Sequence, residues 1–313
     1  MYDVCGIGAY CLDYLSVVDR FPVEDEKLEL GSMELEGGGN VATALVTVAR
    51  LGGSACFHGV MGNDENTGAI RNGLSQEGVD ISHLEVTEGK NPFSFIIINR
   101  ARSSRTILYT KSRVPQFREQ EVDPAVVGQS KVLLLDFYHE EASRAASEIA
   151  RQLSIPVVVD AESIKPLSLD IMENATHVVA SKSFALRFTG RSGSSVMEKV
   201  MEELAERTRC PFVCITLGED GSIALERESG KIYRQKSYRV EVVDTTGAGD
   251  VFHGAFSYFL AQGYPIEEIL RYSAGCAACA CRQMGGRKGI PTMKELKVFL
   301  KDDTAGAETK SAT

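Results

Sequence analysis

Lys131-Val-Leu-Leu-Leu-Asp136, Pro156-Val-Val-Val-Asp160, His177-Val-Val-Ala180 and Pro211-Phe-Val-Cys-Ile-Thr216 are four short apolar runs in one stretch of chain. Each has the length and the near-continuous apolarity of a strand buried on both faces, which is how parallel strands read. Helical patterns lie between them, over Glu140–Leu153 and Val196–Arg207. A parallel strand needs a crossover to reach its neighbour, and a helix is the usual one. Toward the N-terminus the alternation continues: a strand over Asp3–Ala9, a helix over Val41–Leu51, a strand over Ala55–Val60 and a helix over Asn66–Glu77 closed by Gly78. The spacing predicts an α/β fold, one doubly wound, mostly parallel sheet with helices on both faces. Two segments break the pattern. Leu15–Leu35 and Phe93–Tyr109 alternate apolar and polar residues and suit a small separate β-sheet. Toward the C-terminus helices dominate, over Ala248–Ala261, Ile266–Met284 and Thr292–Leu300. Without a linker or repeat, residues 1–301 read as a single domain and 302–313 as a small, polar, disordered tail.

Composition narrows the function without naming it. Apolar residues are 43% and charged residues 25% of the 313, an ordinary globular balance. With 34 Lys and Arg against 43 Asp and Glu the net charge is −9, so the chain has no general field for nucleic acid or anionic lipid. No apolar run approaches the roughly 18 residues of a membrane span. The N-terminus, with Asp3 and no basic start, does not read as a signal peptide. Eight scattered cysteines fit reduced thiols and a cytoplasmic location.

The strongest chemical signal is Asp244-Thr-Thr-Gly-Ala-Gly-Asp250, feeding a helical run. Gly247, Ala248 and Gly249 let backbone N–H groups approach a ligand closely. A glycine turn entering a helix N-terminus makes an anion site. Asp250 then reads either as a helix cap, worth about 1 kcal/mol, or as a carboxylate placed beside a phosphate cradle to take a proton from an attacking hydroxyl.

This string resembles the C-terminal signature of the ribokinase-like (PfkB) sugar kinases. The resemblance implies ATP and Mg²⁺, Asp250 as general base, and Gly247, Ala248 and Gly249 as an anion hole for the transferred phosphoryl group. It also implies a monovalent cation, K⁺, beside that hole, with Asp244 and Thr246 on one side and Gly285–Gly289 on the other. No Gly-x-x-x-x-Gly-Lys-Ser/Thr occurs, so this is not a P-loop enzyme.

On the sugar side, Glu36-Gly-Gly-Gly-Asn-Val-Ala-Thr43 reads by itself as a flexible strand-to-helix turn. The resemblance assigns Gly38, Gly39 and Asn40 to sugar contact. Thr43 stands where many members carry Asn; it keeps one hydroxyl and loses the amide's paired groups. Asp13, past the end of the first strand, lies where α/β sheets place ligand groups, and the resemblance has it accept from two sugar hydroxyls. Gly6-Ile-Gly8 suggests a dinucleotide fingerprint whose third glycine is missing, because Cys11 stands there. Asp25 reads as a sugar contact or as a solvated charge in Glu24-Asp25-Glu26-Lys27, and Arg105 as a substrate or phosphate contact or an exposed lid residue.

For the nucleotide, Thr216, Gly218 and Gly221 sit in a strand-to-turn segment similar to the family's nucleotide loop. Ala274–Cys281 is built almost wholly of small residues, with Ala278 and Cys281 making room for an adenine ring or for close helix packing. The family's Asn-x-x-Glu pair is absent; Ser181-Lys-Ser-Phe184 stands there, as in ketohexokinase-like relatives, with Ser181 on the nucleotide side. His253 reads as a packed or capping residue. These residues together predict an ATP-dependent kinase for a primary hydroxyl of a small sugar, closest to the ketohexokinase-like branch and favouring a ketose or ketose derivative. Lid segments around 14–36 and 90–112 close over the sugar, and a homodimer through the lid is expected. The alternatives are a nucleoside kinase on the same fold and a non-catalytic sugar- or nucleotide-binding regulator. A dehydrogenase reading rests on Gly6 and Gly8 alone.

Overall fold

A computed structural model describes residues 1–102, 104–193 and 196–310. Its central sheet draws strands from both halves of the chain: β1 (Tyr2–Ile7), β4 (Ala55–Phe57), β6 (Val79–Asp80), β10 (Ser130–Leu135), β11 (Val157–Ala161), β12 (His177–Ser181), β13 (Phe212–Thr216), β14 (Ser222–Glu226) and β15 (Lys231–Gln235). Their order is β15-β14-β13-β12-β11-β10-β1-β4-β6. The seven from β13 to β6 run parallel, and β14 and β15 add an antiparallel edge. The expected doubly wound α/β fold is what the chain adopts.

The alternation of side chains along each strand explains the layers. Val132, Leu134 and Val158 face a core shared with the helices Asn40–Arg50, Ala248–Ala261 and Ile266–Ala280. Leu133, Leu135, Val157 and Val159 face a second core under Glu140–Gln152 and Met197–Thr208. Strands buried on both faces can be apolar at every position.

The two segments that break the alternation form their own sheet. Here β2 (Cys11–Val18), β3 (Ser32–Gly38), β8 (Phe93–Asn99) and β9 (Ser104–Tyr109) lie in the order β3-β2-β8-β9. The single strand expected over Ala55–Val60 is two. It breaks at His58, and β5 (Gly59–Gly62) leaves the central sheet to pair with β7 (Leu84–Thr87). The buried His58 ring accepts from the Asp123 N–H at 3.0 Å, pinning the break. The last helix runs Met293–Lys310. The tail expected at 302–313 therefore falls partly on this helix and partly on 311–313, which lie outside the described residues.

Candidate active site

The helix after the glycine turn begins at Ala248, with Gly247 in a left-handed conformation (φ 71°) as its N-cap. Asp250 is thus the third helical residue, not the cap, and no side-chain cap bond is made there. The first-turn N–H groups of a helix lack intrahelical partners. That of Ala248 reaches back to Thr245 O at 3.3 Å. A Cβ on Gly249 would meet nothing within 4 Å, whereas one on Gly247 would press on Gly286. The turn is open on one side and packed on the other, which is the shape an anion cradle needs.

Asp250 stands among carboxylates. Burial, then Asp160, Glu162 and Asp136, push it well above the usual carboxylate range, against a smaller pull from Arg287. Asp136 is raised to about 7 by burial, although the Ala9 and Tyr138 N–H groups donate to it at 2.8 Å each. These acids follow from a rule applied to Asp13 alone: Asp136 and Asp160 lie at the C-terminal ends of β10 and β11, where parallel sheets put ligand groups. His253, one turn beyond Asp250, is packed as expected. Its Nδ1 is 2.7 Å from Gly249 O, and its Nε2 is 3.1 Å from Val179 O and 3.4 Å from Asp160 Oδ1.

The sugar turn is brought to the same end of the sheet. Asn40, at the start of its helix, donates its amide to Asp160 Oδ2 (3.1 Å) and Glu162 Oε2 (3.0 Å). Gly38 leaves room for Asp13 itself, since a Cβ there would run into the carboxylate and the Cys11 sulfur. Asp13 is buried and accepts from Cys11 Sγ at 3.2 Å; burial raises its carboxyl, with Cys11, Ser94 and Arg287 opposing. Gly39 (φ 91°) packs on the Tyr10 backbone, where a side chain would not fit. Thr43 is buried, with its oxygen accepting from Arg287 Nε at 3.3 Å. Gly6 and Gly8 are packing glycines: Cβ atoms there would collide with Val41 and Leu45, and with Asp136 and Val41.

A cavity of about 950 Å³ joins Thr216, Gly218, Gly221, Ala278 and Cys281 to Ala248 and Gly249. Five of the six expected nucleotide residues therefore share one wall with the anion turn. Ser181 is not in that wall; its hydroxyl caps the helix Lys182–Thr189 through the Phe184 N–H at 3.2 Å. Phe252, Tyr238 and Val240 are among the other lining residues, and sequence alone did not single them out. Only the fold brings the segment after β15 to this wall.

Asp244 staples two loops. Its Oδ1 accepts from Thr246 N (2.9 Å) and Oγ1 (2.8 Å), and its Oδ2 from Gly285 N (3.0 Å). Arg105, on the small sheet, reaches this staple through Thr245 Oγ1 (2.8 Å) and Asp244 Oδ1 (3.5 Å). Glu36, unassigned from sequence, accepts from the N–H groups of Gly286, Arg287 and Lys288 at 2.8–3.1 Å. Asp25 is exposed in the β2–β3 loop with φ 61°, while Asp13 is buried.

Residues 1–293 match the pfkB family of carbohydrate kinases. The chain belongs to that family. It is a sugar kinase, 26% identical to the ribokinase of Bacillus subtilis over 96% of this chain and all of that one. It is 27% identical to the 5-dehydro-2-deoxygluconokinase of Halalkalibacterium halodurans over 96% of this chain and 95% of that one. The fold matches a putative ribokinase II from E. coli, solved with ATP and Mg²⁺ (TM-score 0.82, 20% identity, 96% of this chain and 100% of that one). ATP and Mg²⁺ are the cofactors this kinase's motifs imply. Among the described residues no helix is long and apolar enough to cross a membrane.

Proposed function

We propose that this kinase transfers the γ-phosphoryl group of ATP to a primary hydroxyl of a small ketose or ketose derivative. Asp250 removes the hydroxyl proton and the Gly247–Gly249 turn absorbs charge on the phosphoryl oxygens. The observation that carries this reading is Asp250 itself: it stands three residues into a helix, half-buried, makes no cap bond, and sits at the mouth of an open glycine turn. Its raised affinity for protons is what a base needs to accept one from an alcohol. Phosphoryl transfer asks mainly for positioning and preorganised charge, and the helix N-terminus supplies both.

The cavity beside the turn has the small-residue lining and volume for a nucleotide, with Ala278 and Cys281 on the adenine side and Thr216, Gly218 and Gly221 toward phosphates and ribose. Mg²⁺ is commonly held through phosphate oxygens, waters and one or two carboxylates; Asp136, Asp160 and Glu162 are the carboxylates nearest Asp250 in charge. K⁺ fits beside the Asp244 and Gly285 staple. On the sugar side, Asp13 accepts from hydroxyls, with Asn40 and Thr43 beside it. Arg105, Asp25 and the two glycines Gly38 and Gly39 frame the entrance under the lid.

The outward face of the small sheet supports a homodimer. Leu35, Tyr14, Phe95 and Leu108 are aligned across its four strands, and three of them are 41–59% exposed. Among the described residues all eight cysteines are unpaired, in keeping with a cytoplasmic location. The test is ADP release over a panel of fructose, anionic ketose derivatives, ribose and adenosine. Preference for a ketose is the expected result; preference for ribose or adenosine overturns the substrate class and leaves the kinase assignment standing.

A further inference from the structure

Arg287 is a buried cation in an unusual place. It lies in the loop that follows the adenine-side helix, yet its head is 5% exposed and turned onto the sugar turn. Nη2 donates to Gly38 O at 3.1 Å and Nε to Thr43 Oγ1 at 3.3 Å. Gly37 carries no Cβ, and one would run into the guanidinium. Both main-chain groups of Arg287 are fixed as well: its N–H donates to Glu36 Oε1 at 3.1 Å and its carbonyl accepts from Arg50 Nη1 at 2.6 Å.

A buried charge is ordinarily paired. Among the described residues Arg287 makes no ion pair within 4 Å. Its charge is balanced from further off by Glu36, Asp13 and Glu77. A purely structural role would be served by a neutral side chain without that desolvation. The planar fork holds its two donors, Nε and Nη2, at a fixed separation and angle, so the Thr43 hydroxyl and the Gly38 carbonyl are gripped in one geometry. Having accepted from Nε, the Thr43 oxygen has its own hydrogen left to donate. Asp13 lies against Gly38, so the turn that Arg287 braces also sets the place of the sugar-side carboxylate.

We propose that Arg287 is a positioning and specificity residue for the sugar, acting through the Gly37–Gly38 turn and the Thr43 hydroxyl. This rests on the sugar-side reading given above. It assigns the loop 285–289 two duties: one edge is tied to Asp244 beside the phosphoryl turn, the other holds the acceptor sugar's turn.

The test is a double-mutant cycle, Arg287→Gln, Thr43→Val and both together, with KM for the preferred sugar and KM for ATP measured separately. Arg287→Gln is expected to raise the sugar KM about tenfold or more and to leave the ATP KM within about twofold. Contacting residues give non-additive effects, so the double variant is expected to be no worse than the worse single one. Arg287→Lys keeps the charge and loses the fork; it replaces the Gln variant should that one fail to fold, and a threefold or larger rise in sugar KM is expected. An unchanged sugar KM, an equal rise in both KM values, or multiplied effects in the double variant overturn the proposal. Absence of sugar turnover in the unmodified enzyme instead defeats the reading on which it rests.

Discussion

The proposed phosphoryl side and the proposed sugar side of this kinase are built from different materials. The phosphoryl side is backbone: a left-handed Gly247, an open Gly249 and a helix end, with one carboxylate three residues in. It is contiguous in sequence because adjacent peptide groups make it. The sugar side is made of four side chains drawn from three places: Asp13 on β2, Asn40 and Thr43 on the first helix, and Arg287 far down the chain. On the proposed assignment, reaction type is held by a short string, whereas substrate choice is spread over the fold. The two relatives fit that division, one named a ribokinase and the other a 5-dehydro-2-deoxygluconokinase at nearly equal identity.

The contrast is broken most directly at Asp250. Asp250→Asn keeps the shape and cannot accept the proton, so kcat is expected to fall by about 10²–10⁴ with ATP affinity, measured by calorimetry, retained. If the variant turns over at near the native rate, the base lies elsewhere. On the other side, Asp13→Asn replaces charge-assisted hydrogen bonds by neutral ones. About 1.5–3 kcal/mol for such bonds corresponds to a sugar KM raised by roughly tenfold to a hundredfold with kcat for saturating sugar less affected. A loss confined to kcat would show that the two sides are not separable in this way.

Proton linkage sharpens the comparison. Asp250 sits in a set of mutually repelling carboxylates, so it titrates above the ordinary range. The base works only when deprotonated, so kcat/KM is expected to fall as pH drops, with an acid limb belonging to the group rather than to one residue. Asp136 gives the stability side of the same effect. Held up to about 7 in the folded chain, it keeps a proton that the unfolded chain releases near its ordinary value of 3.8. The folded state binds more protons between those values, so stability falls as pH rises from about 4 through about 7. Asp136→Asn is expected to flatten that slope in thermal melts taken across the interval; an unaltered slope places the effect on another group.

The smallest expected effect concerns K⁺. Asp244 fastens the phosphoryl turn to Gly285, on the loop that also carries Arg287. A cation beside this staple would tighten both sides at once, so K⁺ is expected to raise kcat a few-fold over a bulky organic cation, with little change in the ratio of sugar to ATP KM. Equal rates in the two buffers remove the cation from the account.

Much of this was legible in the chain. Runs such as Lys131–Asp136 and Pro156–Asp160 read as buried parallel strands, because they are nearly continuous in apolar residues and too short for a buried helix. The 244–250 string marked the phosphoryl turn because local backbone geometry is written in adjacent residues. Some readings were not available at that level. The helix start at Ala248 is legible in the sequence, but that Asp250 makes no cap bond within its first turn is seen only in the folded chain. Ser181, where resemblance suggested a nucleotide contact, also caps the helix Lys182–Thr189. Tertiary structure alone decided the long-range pairs: Asn40 on Asp160 and Glu162, Glu36 on the 286–288 N–H groups, Arg287 on Thr43 and Gly38. These pairs join residues 120 to 252 positions apart. Periodicity reports which face of an element is buried, but the partner a side chain meets is set by the order in which strands are laid into the sheet.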